Sequence, residues 1–454
     1  MKVHIVGAGP TGITIAWELS KLSDIDVYLY DKKSSVGGSW WEPSKNNRNL
    51  HSHRALFDSF VNTKQLLKEM NIRWKDVFGK LDVKDNSSKQ ILTQLNFNDK
   101  LQLLSRFVSY QFNEDRFKLI TVKDEMSKCL SNKGKQLLST LTYIFDGIPW
   151  DVMTMYEFIK TVDYIGLNPI PDTQIKSGWN MNMRMQQCLI KKGVKCNFNH
   201  TLIDIDYSEP YKFTATFDNP EGIHIISDDM LILCVDHLNA IDMIKSNWKL
   251  NTKDILFKSA YTCLNVLLYY DDLNFNNNIE TIKIAMDTPW NIIVGILDDH
   301  KTVSCVMCNM NNKSDCTNLK VSETPPGDLE KEVVRQLGFP VPKNTKICWG
   351  STWTGGKWIH EQSSGVITVD GTIPYFGKNH RVAMCGMMSE RNVPFSSIEA
   401  SVEIGKTFVK KYFNKSIRIK KPWLISNVIS KFFFLSIMII MLPIVKKTLY
   451  NNNE

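Results

Sequence analysis

Val3-His4-Ile5-Val6-Gly7-Ala8-Gly9-Pro10-Thr11-Gly12 begins with a short apolar run, Val3 to Val6, that ends at a glycine, and the reading of the fold starts here. Downstream, Ile13, Ile15, Ala16 and Leu19 recur at helical spacing, and Asp26 to Tyr30 return to strand character. The predicted order is strand, helix, strand. The glycines satisfy G-x-G-x-x-G between strand and helix, the context that this pattern needs to bind a dinucleotide. Gly7 permits the tight turn, Gly9 lets the backbone approach a pyrophosphate, and Gly12 lets helix and sheet pack closely. The helix N-terminus, with Ala8 and Thr11 beside it, offers N–H groups to the anion. Pro10 lacks an N–H, but at the first helical position that donor is expendable. A tight turn with no ligand is the plainer alternative for the glycines alone. Asp31, however, ends the second strand nineteen residues after Gly12. There a carboxylate accepts hydrogen bonds from ribose hydroxyls and disfavours a 2′-phosphate, with Lys32 as its neighbour at the site.

The whole 454-residue chain is 43% hydrophobic, enough for more than one folding unit. Its net charge of +8 is spread along the sequence instead of gathered in blocks, so no nucleic-acid partner is expected. Ten scattered cysteines, and an opening that runs straight into a strand, lead to the expectation of a reducing, cytosolic setting. In that setting the sequons at Asn86, Asn199, Asn312 and Asn414 read as polar loops. Cys305, Cys308 and Cys316 have part of a metal spacing but lack a fourth ligand, and no metal is expected.

Periodicity divides the chain into six stretches. Residues 1–50 form the first part of the cofactor domain, and 51–190 a mainly helical lobe or lid. Residues 191–240 return to the cofactor domain, with Val194, Cys196 and Phe198 alternating and Met230 to Val235 forming a buried-type run. Residues 241–375 are β-rich and assigned to substrate, 376–414 give a last strand and an amphipathic helix capped by Ser396 or Ser397, and 415–454 form a basic linker and apolar tail.

A second glycine pair, Gly37-Gly38, follows Asp31 after five intervening residues and is itself followed by Ser39. With it the sequence resembles the FAD family of monoamine and polyamine oxidases, phytoene- and squalene-type desaturases and protoporphyrinogen oxidase. The family has an arginine where Ser39 stands. The resemblance continues at Leu202 or Ile203, the branched residue placed against adenine. It ends at Met384-Cys385-Gly386-Met387 and the helix after Ser397 and Ile398, similar to the family's closing strand and helix. Met387 replaces the family's acidic residue on the cofactor chain. The resemblance implies an α/β fold: a Rossmann-like FAD-binding domain of the glutathione-reductase type, an interleaved α+β substrate domain and a C-terminal hydrophobic tail. It also implies an oxidoreductase that takes a hydride from a C–N or C–C bond of an amine or lipid-like small molecule and passes electrons to molecular oxygen or a quinone.

Other readings stay open. Gly37-Gly38-Ser39-Trp40 is also similar to flavin monooxygenases, although no second G-x-G-x-x-G supplies an NADPH site. A non-redox flavoenzyme such as a mutase, or a binding or escort protein with a degenerate FAD fold, would share these motifs. Flavin itself does the hydride chemistry, so the catalytic residue is not legible. His51, His53 and Arg54 after the glycine pair, and Lys357 between Trp353 and Trp358 in a glycine-rich segment, are the candidates. Phe432 to Val445 is almost continuously apolar between basic flanks, and the expectation is a membrane-associating or transmembrane tail with the enzyme facing the cytoplasm. A soluble cytoplasmic protein is the alternative.

Overall fold

The computed structural model describes residues 1–44, 55–80, 93–166, 173–175, 178–227, 229–244, 246–248, 260–273, 282–285, 288–297, 299–348, 350–360 and 364–424. Strand β1 (Lys2–Val6) is central in a five-stranded parallel sheet. The others are β2 (Asp26–Asp31), β3 (Lys195–Phe198), β4 (Met230–Leu233) and β5 (Val382–Met384), in the order β5-β4-β1-β2-β3. Every residue of β4 and β5 is buried. This is the pattern expected of parallel strands covered on both faces.

Helix α1 (Pro10–Leu19) follows β1, as its apolar spacing requires, and is buried along nearly its whole length. It packs against the last described helix, α6 (Ile398–Tyr412), so closely that a Cβ on Gly405 would lie 2.9 Å from Cβ of Thr14. The N-cap of α6 is Ser397, whose hydroxyl accepts from the Ala400 amide. Glu399, in its first turn, reaches the start of α2 (Val61–Glu69), which has no side-chain cap of its own. One Glu399 oxygen accepts from the backbone N–H and side-chain amide of Asn62, at 2.8 and 2.9 Å. The other accepts from the N–H and hydroxyl of Thr63, at 2.8 and 2.7 Å. A carboxylate at a helix N-terminus satisfies amides that the helix leaves unpaired.

Two further bodies flank the parallel sheet. A helical lobe is built around Phe97–Phe112, α3 (Asn132–Asp146) and α4 (Met155–Thr161), with Phe117, Leu138, Leu141 and Phe158 in its core. Ser131 and Thr154 cap α3 and α4, and Gly147 ends α3 in the left-handed conformation at φ 64°. The other body is an antiparallel five-stranded sheet over residues 264–347, packed around Trp290, Val294 and Met307. A three-stranded antiparallel meander, Thr201–Glu209, Lys212–Asn219 and Gly222–Ile226, links β3 to β4.

The glycine-rich segment around Lys357 is a two-stranded hairpin, Ser351–Thr354 with Lys357–His360. Gly355 and Gly356 both have positive φ, 59° and 76°, the requirement of a two-residue hairpin turn. Trp353 and Trp358 meet edge to face across the strands at 5.3 Å, and Trp358 is buried in the antiparallel body. Lys357 itself is exposed. No described helix is long and apolar enough to cross a membrane. The apolar stretch 432–445, His51, His53 and Arg54 lie outside the described residues.

Candidate dinucleotide site

The turn after β1 is fixed by the strands beside it. The Gly7 amide donates to the Tyr30 carbonyl at 2.8 Å, and Gly7 has φ 100°. A Cβ there would run into the carbonyl of Cys234, just past β4. The second glycine pair closes over this turn. Gly37 N–H donates to the Ala8 carbonyl at 2.8 Å, and a Cβ on Gly38 would lie 2.6 Å from Cα of Gly9. Two loops far apart in the motif therefore share one backbone surface that only glycine allows. Helix α1 begins beneath it at Gly9 with no capping side chain, leaving its first amides for an anion.

Asp31 anchors the other side. Its two oxygens accept from the Ala8 amide at 2.7 Å and the Lys33 amide at 2.9 Å. Burial raises its carboxyl above the usual aspartate range, against those two hydrogen bonds and the nearby lysines. The Lys33 ammonium donates to the Gly38 carbonyl at 2.9 Å and stands 5.3 Å from the centre of the Trp41 ring. Its side chain is 9% exposed, so a cation is held almost out of water beside the glycine loops.

These elements open onto a cavity of about 400 Å³. Gly7, Gly9, Thr11, Asp31, Lys32, Gly38, Ser39, Leu202, Gly386 and Met387 all line it. Ala8, Gly12 and Gly37 do not. Ala8 holds Asp31, and Gly12 is the point where α1 meets the Gly7 carbonyl. Of the two branched candidates, Leu202 lines the cavity, while Ile203 is 48% exposed. Ser397 caps α6 and Ile398 is buried, so the α6 residue on the cavity is Ser401, one turn further on. Lys357 does not line the cavity.

Sequence reasoning missed several lining residues. Lys33, not only the exposed Lys32, reaches the glycine loops. Its signal was a lysine two residues after the acid, close to the place where an arginine is missing. His200 lies on the wall near Leu202, with Nδ1 2.8 Å from the Phe198 carbonyl. His237 begins α5 (His237–Ile244) and also lines the cavity. Burial and the positive charge of Arg391 hold its imidazole down at about 4.

Behind Met387 lies a buried charge network that joins the cavity wall to the helical lobe. Arg391 donates to Glu157 at 2.7 Å with both side chains fully buried, and to the carbonyls of Met387 and Gly365 at 2.6 and 3.1 Å. The Phe395 amide donates to the same Glu157 oxygen, and the Ser396 amide to Asp146. Burial and the neighbouring Glu157 push the Asp146 carboxyl up to about 8. Cys385 and Cys234, also on the wall, are held as thiols by burial. No group of three or more metal-ligating side chains occurs among the described residues.

The donor set fits a dinucleotide with a free ribose: an acid for the sugar, and glycine backbone, a helix start and a buried ammonium for the phosphates. The sequence profile of the NAD(P)-binding Rossmann-like domain matches residues 5–69. No curated protein sequence matches the chain. Among solved structures, one of putrescine oxidase aligns over 91% of this chain and 99% of its own, with a TM-score of 0.64 and 12% identity. An oxidoreductase from Methanosarcina mazei aligns over 90% of this chain and 100% of its own, with a TM-score of 0.59 and 12% identity. A protein assigned as a protoporphyrinogen oxidase from Exiguobacterium sp. 255-15 aligns over 90% and 98%, with a TM-score of 0.60 and 11% identity. The chain has the Rossmann-like α/β fold of these oxidoreductases over nearly its whole length.

Proposed function

We propose that this chain is an FAD-dependent oxidoreductase whose cofactor lies in the cavity between Asp31 and Met387. The observation that carries the reading is that one cavity is lined by three distant segments: the β1–α1 turn with Gly38, the β4–α5 junction, and the β5–α6 junction. A nicotinamide dinucleotide would use the first of these. The second glycine pair and the closing strand and helix favour FAD, as does the likeness to putrescine oxidase and a protoporphyrinogen oxidase.

Bound flavin would supply the hydride acceptor. The work left to the chain is to seat the adenosine ribose on Asp31, to balance phosphate charge with Lys33 and the start of α1, and to wall off the far end with Gly365, Met387 and Met388. The resemblance favours a C–N or C–C bond as hydride donor and oxygen or a quinone as acceptor. A lipid-like substrate is preferred over a polar amine on the apolar stretch 432–445 alone.

The test is to purify the protein, record its absorbance spectrum, and titrate apoprotein with FAD and with NAD⁺. Flavin bands, or FAD binding with NAD⁺ bound much more weakly, support the reading. Anaerobic bleaching by one of a panel of amines and polyenes would then assign the substrate class. Colourless protein that takes up no FAD overturns the reading in favour of an escort role, and bound flavin that no donor bleaches turns it towards a mutase.

A further inference from the structure

Arg391 stands behind the far wall of the cavity without lining it. It is buried, and its guanidinium holds two residues that do line the cavity. Nη1 donates to the Met387 carbonyl at 2.6 Å and Nη2 to the Gly365 carbonyl at 3.1 Å. The Ser396 hydroxyl also donates to the Gly365 carbonyl, at 3.1 Å. Both oxygens are thus engaged behind the wall and withheld from whatever fills the cavity. The counter-ion, Glu157, comes from α4 in the helical lobe and does not line the cavity. The order from the cavity outward is wall carbonyl, cation, anion. A buried ion pair is a costly strut, since apolar side chains of similar volume often fill such a place as well or better. This pair is also incompletely satisfied: Arg391 Nε, Glu157 Oε2 and Asp146 Oδ2 are buried without a hydrogen-bond partner among the described residues. Shape alone does not account for charge kept here. The charge is felt in the cavity: after burial, Arg391 is the second cause that holds the imidazole of His237, a lining residue, down at about 4.

We propose that Arg391 is a positioning residue that sets the reduction potential of the flavin, keeping two backbone oxygens off the ring end of the cavity and presenting a positive charge through the wall. The inference rests on the FAD reading, with the ring at the end bounded by Gly365, Met387 and Met388. A flavin that takes up two electrons and one proton gains one negative charge. A cation behind the wall stabilises that form over the oxidised one, and carbonyl oxygens turned inward would oppose it. Glu157 partly cancels the cation from the other side, so the two residues act on the potential with opposite signs. Asp146, held up to about 8 by burial and by Glu157, stays mostly protonated at neutral pH and adds no full second anion.

The experiment measures the midpoint potential of bound flavin, by anaerobic reduction against a reference dye at neutral pH, and the affinity of the apoprotein for ADP, by calorimetry. Glu157→Gln leaves the cation uncancelled and should favour reduced flavin roughly tenfold, about 30 mV upward for a two-electron couple. Glu157→Gln combined with Arg391→Met removes both charges and should shift the potential downward by a similar roughly tenfold factor. Arg391→Lys keeps the charge and should stay closer to wild type than the double variant. ADP ends at the phosphates and should bind every variant within about twofold of wild type. Opposite shifts in the single and double variants support the inference, because a packing role has no sign. Shifts of one sign, or none, overturn it and leave the FAD reading standing, and so does a parallel loss of ADP binding. Should the double variant not fold, Glu157→Gln carries the test, and without an upward shift the inference falls. Wild-type apoprotein that takes up no FAD overturns both.

Discussion

Asp146→Asn should make the protein's stability less sensitive to pH, by an amount the structure allows to be worked out. Asp146 ends α3 inside the protein, with one oxygen accepting from the Ser396 amide at 3.1 Å and the other without a partner among the described residues. Burial, then repulsion from Glu157, push its carboxyl up to about 8, while the Ser396 amide and Arg391 pull the other way. In the unfolded chain an aspartate ionises near about 4. Between these values the folded protein keeps a proton that the unfolded chain has released. The contribution of this group to stability is therefore greatest below about pH 4, declines as pH rises, and levels off above about pH 8. One proton corresponds to about 1.4 kcal/mol per pH unit, so stability should fall by roughly 2–3 kcal/mol between about pH 5 and pH 7 on this account. An asparagine side chain in its place would still accept from Ser396 but would not ionise. The assay is urea unfolding of the apoprotein and of Asp146→Asn at about pH 5, 6, 7 and 8, reading the difference, in which other titrating groups cancel. The variant should gain on wild type steadily as pH rises. A difference that stays flat across this range refutes the reasoning.

Gly7→Ala should cost roughly 2–4 kcal/mol and abolish flavin retention, because its Cβ meets the Cys234 carbonyl at a φ that alanine resists. Denaturation midpoints and bound-flavin content check this, and a loss under about 0.5 kcal/mol would contradict it. Lys33→Met should weaken FAD binding about tenfold and flatten its salt dependence, measured by fluorescence titration at low and high ionic strength. Lys357→Ala should leave FAD binding and turnover unchanged, since the residue stands exposed at a hairpin turn away from the cavity. A large loss of turnover would restore it as a catalytic candidate.

The parts of the site legible in sequence are those whose constraint is steric and local. Gly7, Gly9, Gly12 and Asp31 are demanded by one strand, turn, helix and strand, all within about thirty consecutive residues. The cap of α6 was legible only as Ser396 or Ser397, and it is Ser397. Lys33 and Lys32 could not be told apart by spacing, because which one turns inward depends on Trp41 and Gly38 folding over it. His237 gave no signal, since its place on the wall exists only once β4 lies beside β5. The glycines beside Lys357 had no single reading in sequence, because adjacent glycines serve a hairpin turn as readily as a ligand loop, and only strand pairing distinguishes the two.

The order β5-β4-β1-β2-β3 has a consequence for biosynthesis. The central strand β1 and its neighbour β4 are separated by more than two hundred residues, and β5 and α6 arrive last. As the chain leaves the ribosome, β1 waits through about half of translation for β4 on one edge, and α1 waits until near the end for α6. Loop closure over such a span is slow, so a nascent chain stalled before β5 should engage chaperones. Flavin would first be captured only after α6 has emerged.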